Sequence, residues 1–319
     1  MRAVVFDGQV KFHREWPEPA VPKGEVLIQV RLAGICRTDL EILKGYVNYK
    51  GILGHEFVGV VVNGPKSLRG KRVAAEINCV CGQCDMCLKG LSSHCRRRTV
   101  LGIAGRDGCF ADYVVVPERN CYPLPDSVSN EEAVFVEPLA AAYQVLRQVQ
   151  VERHMRCSVV GTGRLGLLMA QVLAQTGCRL QVIGRNQRTL DYCEKKGITA
   201  FHVDNVLPKQ DQDLIVECSG NESGLATALQ MVRPRGMVVL KSTCAKPWTI
   251  DLSPAVVNEV TILGSRCGPF GEAINALARK QVDVLSMISR IMPLHKACEA
   301  LEAAADSGNI KVLLEVSKA

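Results

Sequence analysis

Four cysteines in the first half of the chain have the spacing of a metal site. Cys81, Cys84, Cys87 and Cys95 form the pattern C-x2-C-x2-C-x7-C in a segment that also contains glycines and polar residues. Four thiolates from one loop complete a tetrahedral shell around Zn²⁺ and leave no coordination position open. The spacing therefore predicts a structural zinc site that folds this loop. Cys79 is a further candidate, but the even two-residue spacings favour Cys81.

A second set of metal-ligand residue types lies nearer the N-terminus. Cys36 is found in GICRTDLEI, and His55 and Glu56 are found in GHEFVGVV. Cysteine, histidine and a carboxylate are suitable ligands of a catalytic zinc, which keeps one position for water or substrate. Taken singly, each residue is better explained in structural terms, as a buried thiol, a hydrogen-bonded core histidine or a surface acid.

A glycine-rich turn in the second half predicts a nucleotide site. Gly161, Gly163 and Gly166 form G-x-G-x-x-G between a predicted strand, CSVVG, and a predicted helix, RLGLLMAQVLAQTG. The first glycine permits a tight turn, the second lets the backbone approach a pyrophosphate, and the third lets the helix pack on the strand. Arg164 and Leu165 lie in the same turn, where the helix N-terminus faces the phosphates. We therefore expect these five residues to bind a dinucleotide.

The end of the next predicted strand, RLQVIG, bears on which cofactor binds. An acidic residue at this point normally holds the 2′-hydroxyl of the adenosine ribose. The chain has Gly184 there, followed by Arg185 and Asn186, with Arg188 nearby. The absence of a carboxylate together with the presence of a cation favours NADP over NAD. The alternative is that Arg185 is an ordinary solvated arginine.

The composition is that of a soluble globular protein with two domains. The chain has 319 residues, of which 47% are hydrophobic and 22% charged, and this length exceeds one compact core. Its net charge of +7 arises from dispersed residues, 39 basic and 32 acidic, which argues against a nucleic-acid partner. Without a long apolar run or a secretory signal, we expect no membrane partner and a cytoplasmic location. In that setting the fifteen cysteines favour metal binding over disulfides.

The two halves of the chain differ in their predicted secondary structure. Up to about residue 126, turn residues separate the predicted strands AVVF, EVLIQVRLAG, FVGVVVNG, RVAAEI and ADYVVVP. The stretch EEAVFVEPLAAAYQVLRQV has the apolar spacing of a helix. Strands and helices then alternate, which predicts a parallel sheet covered on both faces. After residue 268 we expect two helices, in GEAINALARKQV and LHKACEALEAAADSG, and a final strand, IKVLLEV.

Several motifs together resemble one enzyme family. GICRTD, GHEFVGVV, the four-cysteine loop, EPLAAA and GTGRLG occur in the order found in the zinc-containing medium-chain dehydrogenase/reductase family, and the chain resembles it over essentially its whole length. The resemblance implies a GroES-like, β-rich catalytic domain of residues 1–137 completed by 266–319. It also implies a Rossmann domain, a doubly wound parallel α/β sheet, over residues 138–265.

The same resemblance implies an activity. Members of this kind transfer a hydride between an alcohol or polyol, or the matching aldehyde or ketone, and NADP(H) or NAD(H), and they use one catalytic and one structural zinc. They usually form homodimers or homotetramers. The expected partners are therefore a small-molecule alcohol or carbonyl substrate and further copies of this chain.

Roles for individual residues at the open zinc site follow from the resemblance. It implies that Cys36 and His55 are zinc ligands and that Glu137, in EPLAAA, takes the third protein position. Glu56 lies beside the metal in the same branches, and the choice between the two glutamates stays open. Asp39 matches a carboxylate that orients the histidine, a role with a general physical basis.

Other matched positions concern the proton and the cofactor. Thr38 matches a hydroxyl that passes the substrate proton onward, while Arg37 and Lys311 match cations near the coenzyme pyrophosphate. The chain departs from many alcohol dehydrogenases at Glu41, where they carry a histidine that completes the proton relay. The segment between Thr38 and His55 is also brief, so the substrate pocket of a relative cannot be carried over.

Two other functions compete with this prediction. A zinc-independent quinone or enoyl reductase of the same superfamily would lack the zinc ligands, and the presence of Cys36, His55 and both glutamates argues against it. A non-catalytic protein that senses NADP(H) or redox state through its cysteines would fit the thiol count. It would also need an impaired hydride site, for which the sequence gives no sign.

Overall fold

The computed structural model describes residues 1–317 and divides the chain into two compact units. Unit 1 is formed by Met1–Glu137 and Phe270–Ala319, and unit 2 by Pro138–Pro269. The boundary expected after residue 265 lies slightly upstream of this division. Within residues 1–317, no helix has both the length and the apolar character needed to cross a bilayer.

Strands alternate with helices in one part of the chain and dominate the rest. In chain order the strands are β1 (Ala3–Phe6), β2 (Val10–His13), β3 (Glu25–Gly34), β4 (Gly51–Ile52), β5 (Glu56–Asn63), β6 (Arg72–Ala75), β7 (Asn78–Cys79), β8 (Thr99–Leu101), β9 (Gly105–Arg106), β10 (Tyr113–Pro117), β11 (Cys121–Pro123), β12 (Arg156–Val160), β13 (Arg179–Gly184), β14 (Thr199–His202), β15 (Gln212–Glu217), β16 (Val232–Leu240), β17 (Thr261–Gly264), β18 (Ile288–Pro293) and β19 (Lys311–Glu315). The α-helices are α1 (Arg37–Ile42), α2 (Asp85–Leu88), α3 (Asn130–Ala133), α4 (Val136–Gln148), α5 (Arg164–Ala174), α6 (Gln187–Lys195), α7 (Glu222–Met231), α8 (Ser253–Val257), α9 (Phe270–Ala278) and α10 (Ala297–Ala305).

Unit 1 is organised around β3. This strand belongs to a seven-stranded sheet with the order β11-β6-β5-β3-β19-β18, in which β10 also pairs with β3. Its residues alternate between half-buried and buried positions until the end of the strand, where three successive positions are buried, because the strand runs into the interior there. The C-terminal strand β19 pairs antiparallel with β3, so both ends of the chain build this sheet.

Unit 2 is a doubly wound sheet. Six strands pair in the order β14-β13-β12-β15-β16-β17, and every pairing between neighbours is parallel. Numbered from the first strand of the unit, the strand order is 3-2-1-4-5-6. Rossmann sheets with this strand order bind dinucleotides at the point where the order reverses. The reversal lies between β12 and β15, and Gly161 and Cys218 follow the ends of those two strands. The predicted fold class, a Rossmann sheet with a GroES-like β-rich domain, is confirmed.

The structure corrects the predicted elements at particular places. The single helix expected from EEAVFVEPLAAAYQVLRQV is two helices, α3 and α4. The first begins at a complete capping box of Ser129 and Glu132. Strands β14 and β18 were not predicted from sequence. Both are partly exposed along their length and lie at edges of their sheets, so their sequences lack a clear apolar alternation.

Candidate active site, zinc sites and cofactor site

The turn after β3 presents Cys36 at the start of α1. Cys36 is the N-cap residue, with extended backbone angles of φ −94° and ψ 159°. Its backbone N–H donates to Asp39 Oδ2 at 2.8 Å, which fixes the carboxylate within the first helical turn. The Cys36 Sγ lies 3.7 Å from Thr38 Oγ1. The thiol, the hydroxyl and the carboxylate are thus positioned by one short helix.

His55 and Glu56 enter the same region from the start of β5. Glu56 lies opposite Gly34 in the pairing of β5 with β3. The turn before them requires Gly54, whose φ is +93° and whose added Cβ would lie 2.2 Å from a Phe110 ring carbon. Ligand atoms of Cys36, His55 and Glu56 all lie within 4.8 Å of one another. A single ion can therefore contact all three side chains.

Asp39 orients the His55 ring. Its Oδ1 lies 3.3 Å from His55 Nδ1, and both side chains are almost fully buried. Neither atom has a hydrogen-bond partner among the described residues, so this contact is the one that each makes with an opposite polar group. Burial lowers the pKa of His55, but the Asp39 carboxylate and Cys36 raise it well above its usual value. A carboxylate on Nδ1 leaves Nε2 to bind a metal, as in carboxylate-histidine-zinc arrangements.

Glu56 is held by a buried lysine. Lys311 Nζ forms an ion pair with Glu56 Oε2, and the two side chains are each 1% exposed. The same ammonium donates to the Ile35 carbonyl oxygen at 3.2 Å. Gly34 makes room for the pair, because a Cβ there would lie 2.7 Å from Glu56 Oε2 and 2.9 Å from Lys311 Cε. Lys311, which the sequence places near a coenzyme pyrophosphate, is instead paired with Glu56.

Glu137, the other candidate ligand, lies in the first turn of α4. It is not among the three residues whose ligand atoms all lie within 4.8 Å of one another. Burial raises the pKa of its carboxyl to about 7, with His55 and Lys311 acting to lower it and Glu56 to raise it. The structure therefore brings Glu56, more closely than Glu137, to Cys36 and His55.

The remaining residues expected near this site have clear partners. Arg37 Nε lies 3.0 Å from Glu41 Oε1, and Lys44 Nζ lies 3.1 Å from the same oxygen. Arg37 is largely exposed, whereas Glu41 is mostly buried. Glu41, which stands where relatives carry a relay histidine, is thus neutralised by two cations on its own helix and the following turn.

The four-cysteine loop has the dimensions of a thiolate zinc site. The Sγ atoms of Cys84 and Cys87 are 3.6 Å apart, those of Cys84 and Cys95 are 3.8 Å apart, and those of Cys95 and Cys81 are 3.5 Å apart. A tetrahedron with Zn–S bonds of ~2.3 Å has S–S edges of ~3.8 Å. These separations are far too long for disulfides. The four side chains fit one closed zinc site.

Backbone groups and an ion pair support this loop. Backbone N–H groups, first that of Gln83, lower the pKa of Cys81 to about 6, which favours the thiolate that binds metal. Arg96 pairs with Asp85 through two hydrogen bonds, 2.7 and 2.8 Å long. Cys79 is different: it is buried, and burial raises the pKa of its thiol to about 11. Its Sγ contacts Asn120 at 3.8 Å.

The glycine-rich turn of unit 2 leaves space only at its second glycine. Gly161 has φ +103°, and an added Cβ would lie 2.5 Å from Ser219 N. A Cβ on Gly166 would lie 1.8 Å from the Gly161 carbonyl oxygen, so this residue lets α5 pack on the turn. A Cβ on Gly163 meets no atom within 4 Å. Gly163 is the N-cap of α5, which begins at Arg164 and continues through Leu165, so the open space fits a phosphate group.

Packing explains the glycine at the end of β13. A Cβ on Gly184 would lie 2.2 Å from Thr162 Oγ1, and that hydroxyl forms a buried hydrogen bond of 2.6 Å with Thr189 Oγ1. Arg185 is exposed, and its Nη2 donates to Ser223 Oγ at 2.9 Å. Asn186 caps α6 by accepting a hydrogen bond from the Arg188 backbone N–H.

Sequence reasoning missed three contacts at these sites. The pairing of Lys311 with Glu56 joins residues 255 positions apart, and no local pattern announces it. The roles of Thr162 and Ser223 were likewise not predicted. The only available signals were the threonine inside the glycine motif and the polar sequence that follows β15.

We predict that Lys311→Met lowers the free energy of unfolding by about 3–5 kcal/mol, because it leaves the Glu56 carboxylate buried without its partner. The matched control is Lys50→Met, which removes the lysine of a second pair in unit 1. The side chains of Lys50 and its partner Asp7 are 72% and 68% exposed, so the loss of this pair should leave the free energy of unfolding nearly unchanged. Chemical denaturation measures both variants, and equal losses would show that burial of the Lys311 pair has no special cost.

Comparison with protein families gives matches in both units. The model of the alcohol dehydrogenase GroES-like domain matches residues 22–126, and the model of the zinc-binding dehydrogenase matches residues 165–281. L-threonine 3-dehydrogenase of Bacillus licheniformis is 32% identical, with 76% of this chain and 75% of the relative covered. Sorbitol dehydrogenase of Halalkalibacterium halodurans is 27% identical, with 94% of each chain covered.

Solved structures agree with the fold and include both nicotinamide cofactors. A Sinorhizobium meliloti 1021 protein bound to NADP superimposes with a TM-score of 0.89 at 26% identity, covering 99% of both chains. A short chain alcohol dehydrogenase of Escherichia coli CFT073 complexed with NADH gives a TM-score of 0.88 at 26% identity, also covering 99% of both chains. With these likenesses, the two family matches and the convergence of Cys36, His55 and Glu56, the chain belongs to the zinc-containing medium-chain dehydrogenase/reductase family.

Proposed function

We propose that this protein is a zinc-dependent oxidoreductase that transfers a hydride between an alcohol or polyol, or the matching carbonyl compound, and NADP(H), using NAD(H) less well. The observation that carries the proposal is the meeting of Cys36, His55 and Glu56 ligand atoms within 4.8 Å. Three protein ligands of mixed type leave the fourth position of a tetrahedral zinc for substrate. The sorbitol and threonine dehydrogenases among the relatives support a hydroxyl-bearing substrate.

Each residue of the open site then has a role. Cys36, His55 and Glu56 would hold the catalytic ion, with Glu137 as the competing carboxylate. A zinc ion there would supply Lewis acidity that lowers the pKa of a bound hydroxyl, as it lowers that of bound water to about 7. Asp39 fixes the histidine ring, and Thr38, whose hydroxyl lies beside the Cys36 thiol, accepts the substrate proton.

Lys311 positions the carboxylate of the proposed ligand. Because its ammonium occupies Glu56 Oε2, the second oxygen, Oε1, is the one left for a metal. The pairing also fixes the side-chain orientation, which in turn limits the geometry that an ion can adopt. Glu56 therefore supplies one oxygen, as a tetrahedral zinc site requires.

The catalytic role is tested with His55→Ala. We expect kcat/KM to fall by on the order of a hundredfold or more, since even groups outside the ligand shell contribute about 10–100-fold. Cofactor affinity should be retained, because the glycine turn is untouched. Nicotinamide absorbance and a cofactor titration measure the two quantities, and His154→Ala, which removes an exposed histidine, is the control.

The same assay is run with a panel of polyols, sugars, amino alcohols and aldehydes. Unchanged turnover by His55→Ala would mean that another histidine holds the metal. If the unmodified protein bound zinc and cofactor but turned over no member of the panel, the redox-sensor function would be the better explanation.

We propose two zinc ions per subunit, one in the four-cysteine loop and one at the open site. Cys81→Ser should reduce the metal content of purified protein from two to one, because three thiolates no longer close the tetrahedron. Cys79→Ser should leave it at two, since that thiol lies outside the cluster. Elemental analysis by mass spectrometry distinguishes them, and zinc loss in the Cys79 variant alone would reassign the fourth ligand.

We propose that NADP is preferred because Arg185 receives the 2′-phosphate and no carboxylate opposes it. Arg185→Ala should lower kcat/KM for NADP by about tenfold to a hundredfold, the equivalent of a charge-assisted hydrogen bond of about 1.5–3 kcal/mol. The value for NAD should stay nearly constant. Arg179→Ala, at the opposite end of β13, controls for the loss of a surface cation. An equal or higher kcat/KM for NAD in the unmodified protein would contradict the proposal.

A further inference from the structure

Arg185 is not a loose surface side chain. Its Nη2 donates to Ser223 Oγ at 2.9 Å, and the Ser223 hydroxyl donates in turn to Asn221 Oδ1 at 2.7 Å. Ser223 thus uses a lone pair for the guanidinium and its hydrogen for the amide. The exposed cation at the end of β13 is tied to the first turn of α7.

The serine is itself fixed from the interior. Asn221 caps α7, its Oδ1 accepting from the Gly224 backbone N–H at 2.9 Å, and its own N–H donates to Ser219 Oγ at 3.2 Å. Ser219 Oγ donates to Glu217 Oε1 at 2.5 Å. Glu217 is fully buried. A chain of hydrogen bonds therefore runs from a buried carboxylate at the end of β15 to the Arg185 guanidinium.

This arrangement matters for an anion at the end of β13. An arginine side chain loses rotamer entropy when a ligand fixes it, and pre-organisation reduces that loss on binding. Ser223 also places the guanidinium next to the N-terminal turn of a ten-residue helix, where a negative charge is favoured. The pre-organised guanidinium and the helix N-terminus both favour the negative charge of a 2′-phosphate over the neutral hydroxyls of an unphosphorylated ribose.

We propose that Ser223 is a specificity-determining residue for NADP(H), acting as a positioning residue that holds Arg185 where the 2′-phosphate binds. The proposal rests on the cofactor preference proposed above. Ser223 lies in the first turn of α7, whereas Arg185 lies between β13 and α6. The proposed role requires the Ser223 hydroxyl, and it does not require contact between Ser223 and the reacting atoms.

The test is steady-state kinetics of Ser223→Ala with both cofactors. We expect the KM for NADP to rise about fivefold to tenfold, as for the net contribution of one ordinary hydrogen bond, with kcat for either cofactor and KM for NAD unchanged. Ser223→Thr keeps the hydroxyl and should restore the KM for NADP. Ser223→Ala combined with Arg185→Ala should behave like Arg185→Ala alone, because the serine acts through the arginine.

The outcomes separate this inference from the one on which it rests. If the unmodified protein does not favour NADP, the proposed cofactor preference fails. If it favours NADP and Arg185→Ala removes that preference while Ser223→Ala leaves it intact, only the role of Ser223 is overturned. Equal effects of Ser223→Ala on NADP and NAD, or effects that add fully to those of Arg185→Ala, would likewise overturn it.

Discussion

The buried ion pair between Lys311 and Glu56 is the constraint that the fold of unit 1 must satisfy. A charge at 1% exposure is tolerated only beside an opposite charge, so β19 has to pair with β3 in the register that brings the lysine to the glutamate. That register places Gly34 beneath both side chains and ends β3 just before Cys36. The strand β19 and Cys36, the first of the proposed zinc ligands, are therefore fixed by the same pairing.

The two proposed metal sites differ in how they depend on the fold. The four cysteines come from one segment of 15 residues, 81–95, within which the sulfurs approach to 3.5–3.8 Å. The open site draws on the turn after β3 and the start of β5, so it exists only once the sheet has formed. A site assembled by tertiary pairing is suited to catalysis, because the sheet holds its ligands without a fourth protein group.

This difference also explains how far the sequence could predict the structure. Spacing along the chain revealed the cysteine loop and the glycine turn, and periodicity revealed the alternating strands and helices of unit 2. Edge strands such as β14 could not be predicted, because half-exposed residues give no regular apolar pattern. The contacts of Lys311 with Glu56 and of Arg185 with Ser223 also escaped, since their partners are 255 and 38 residues apart and only the fold brings them together.

The cofactor site shows why an absent residue is weaker evidence than a present contact. From the sequence alone, Gly184 indicates the loss of an acid that would repel a 2′-phosphate, yet the side chain of Thr162 fills the space that any Cβ there would need. Packing alone thus explains the glycine, whichever cofactor binds. An aspartate introduced at 184 would have to displace the buried Thr162–Thr189 hydrogen bond before it reached a ribose. A preference for NADP would therefore depend on Arg185, and on the residues that hold its guanidinium in place.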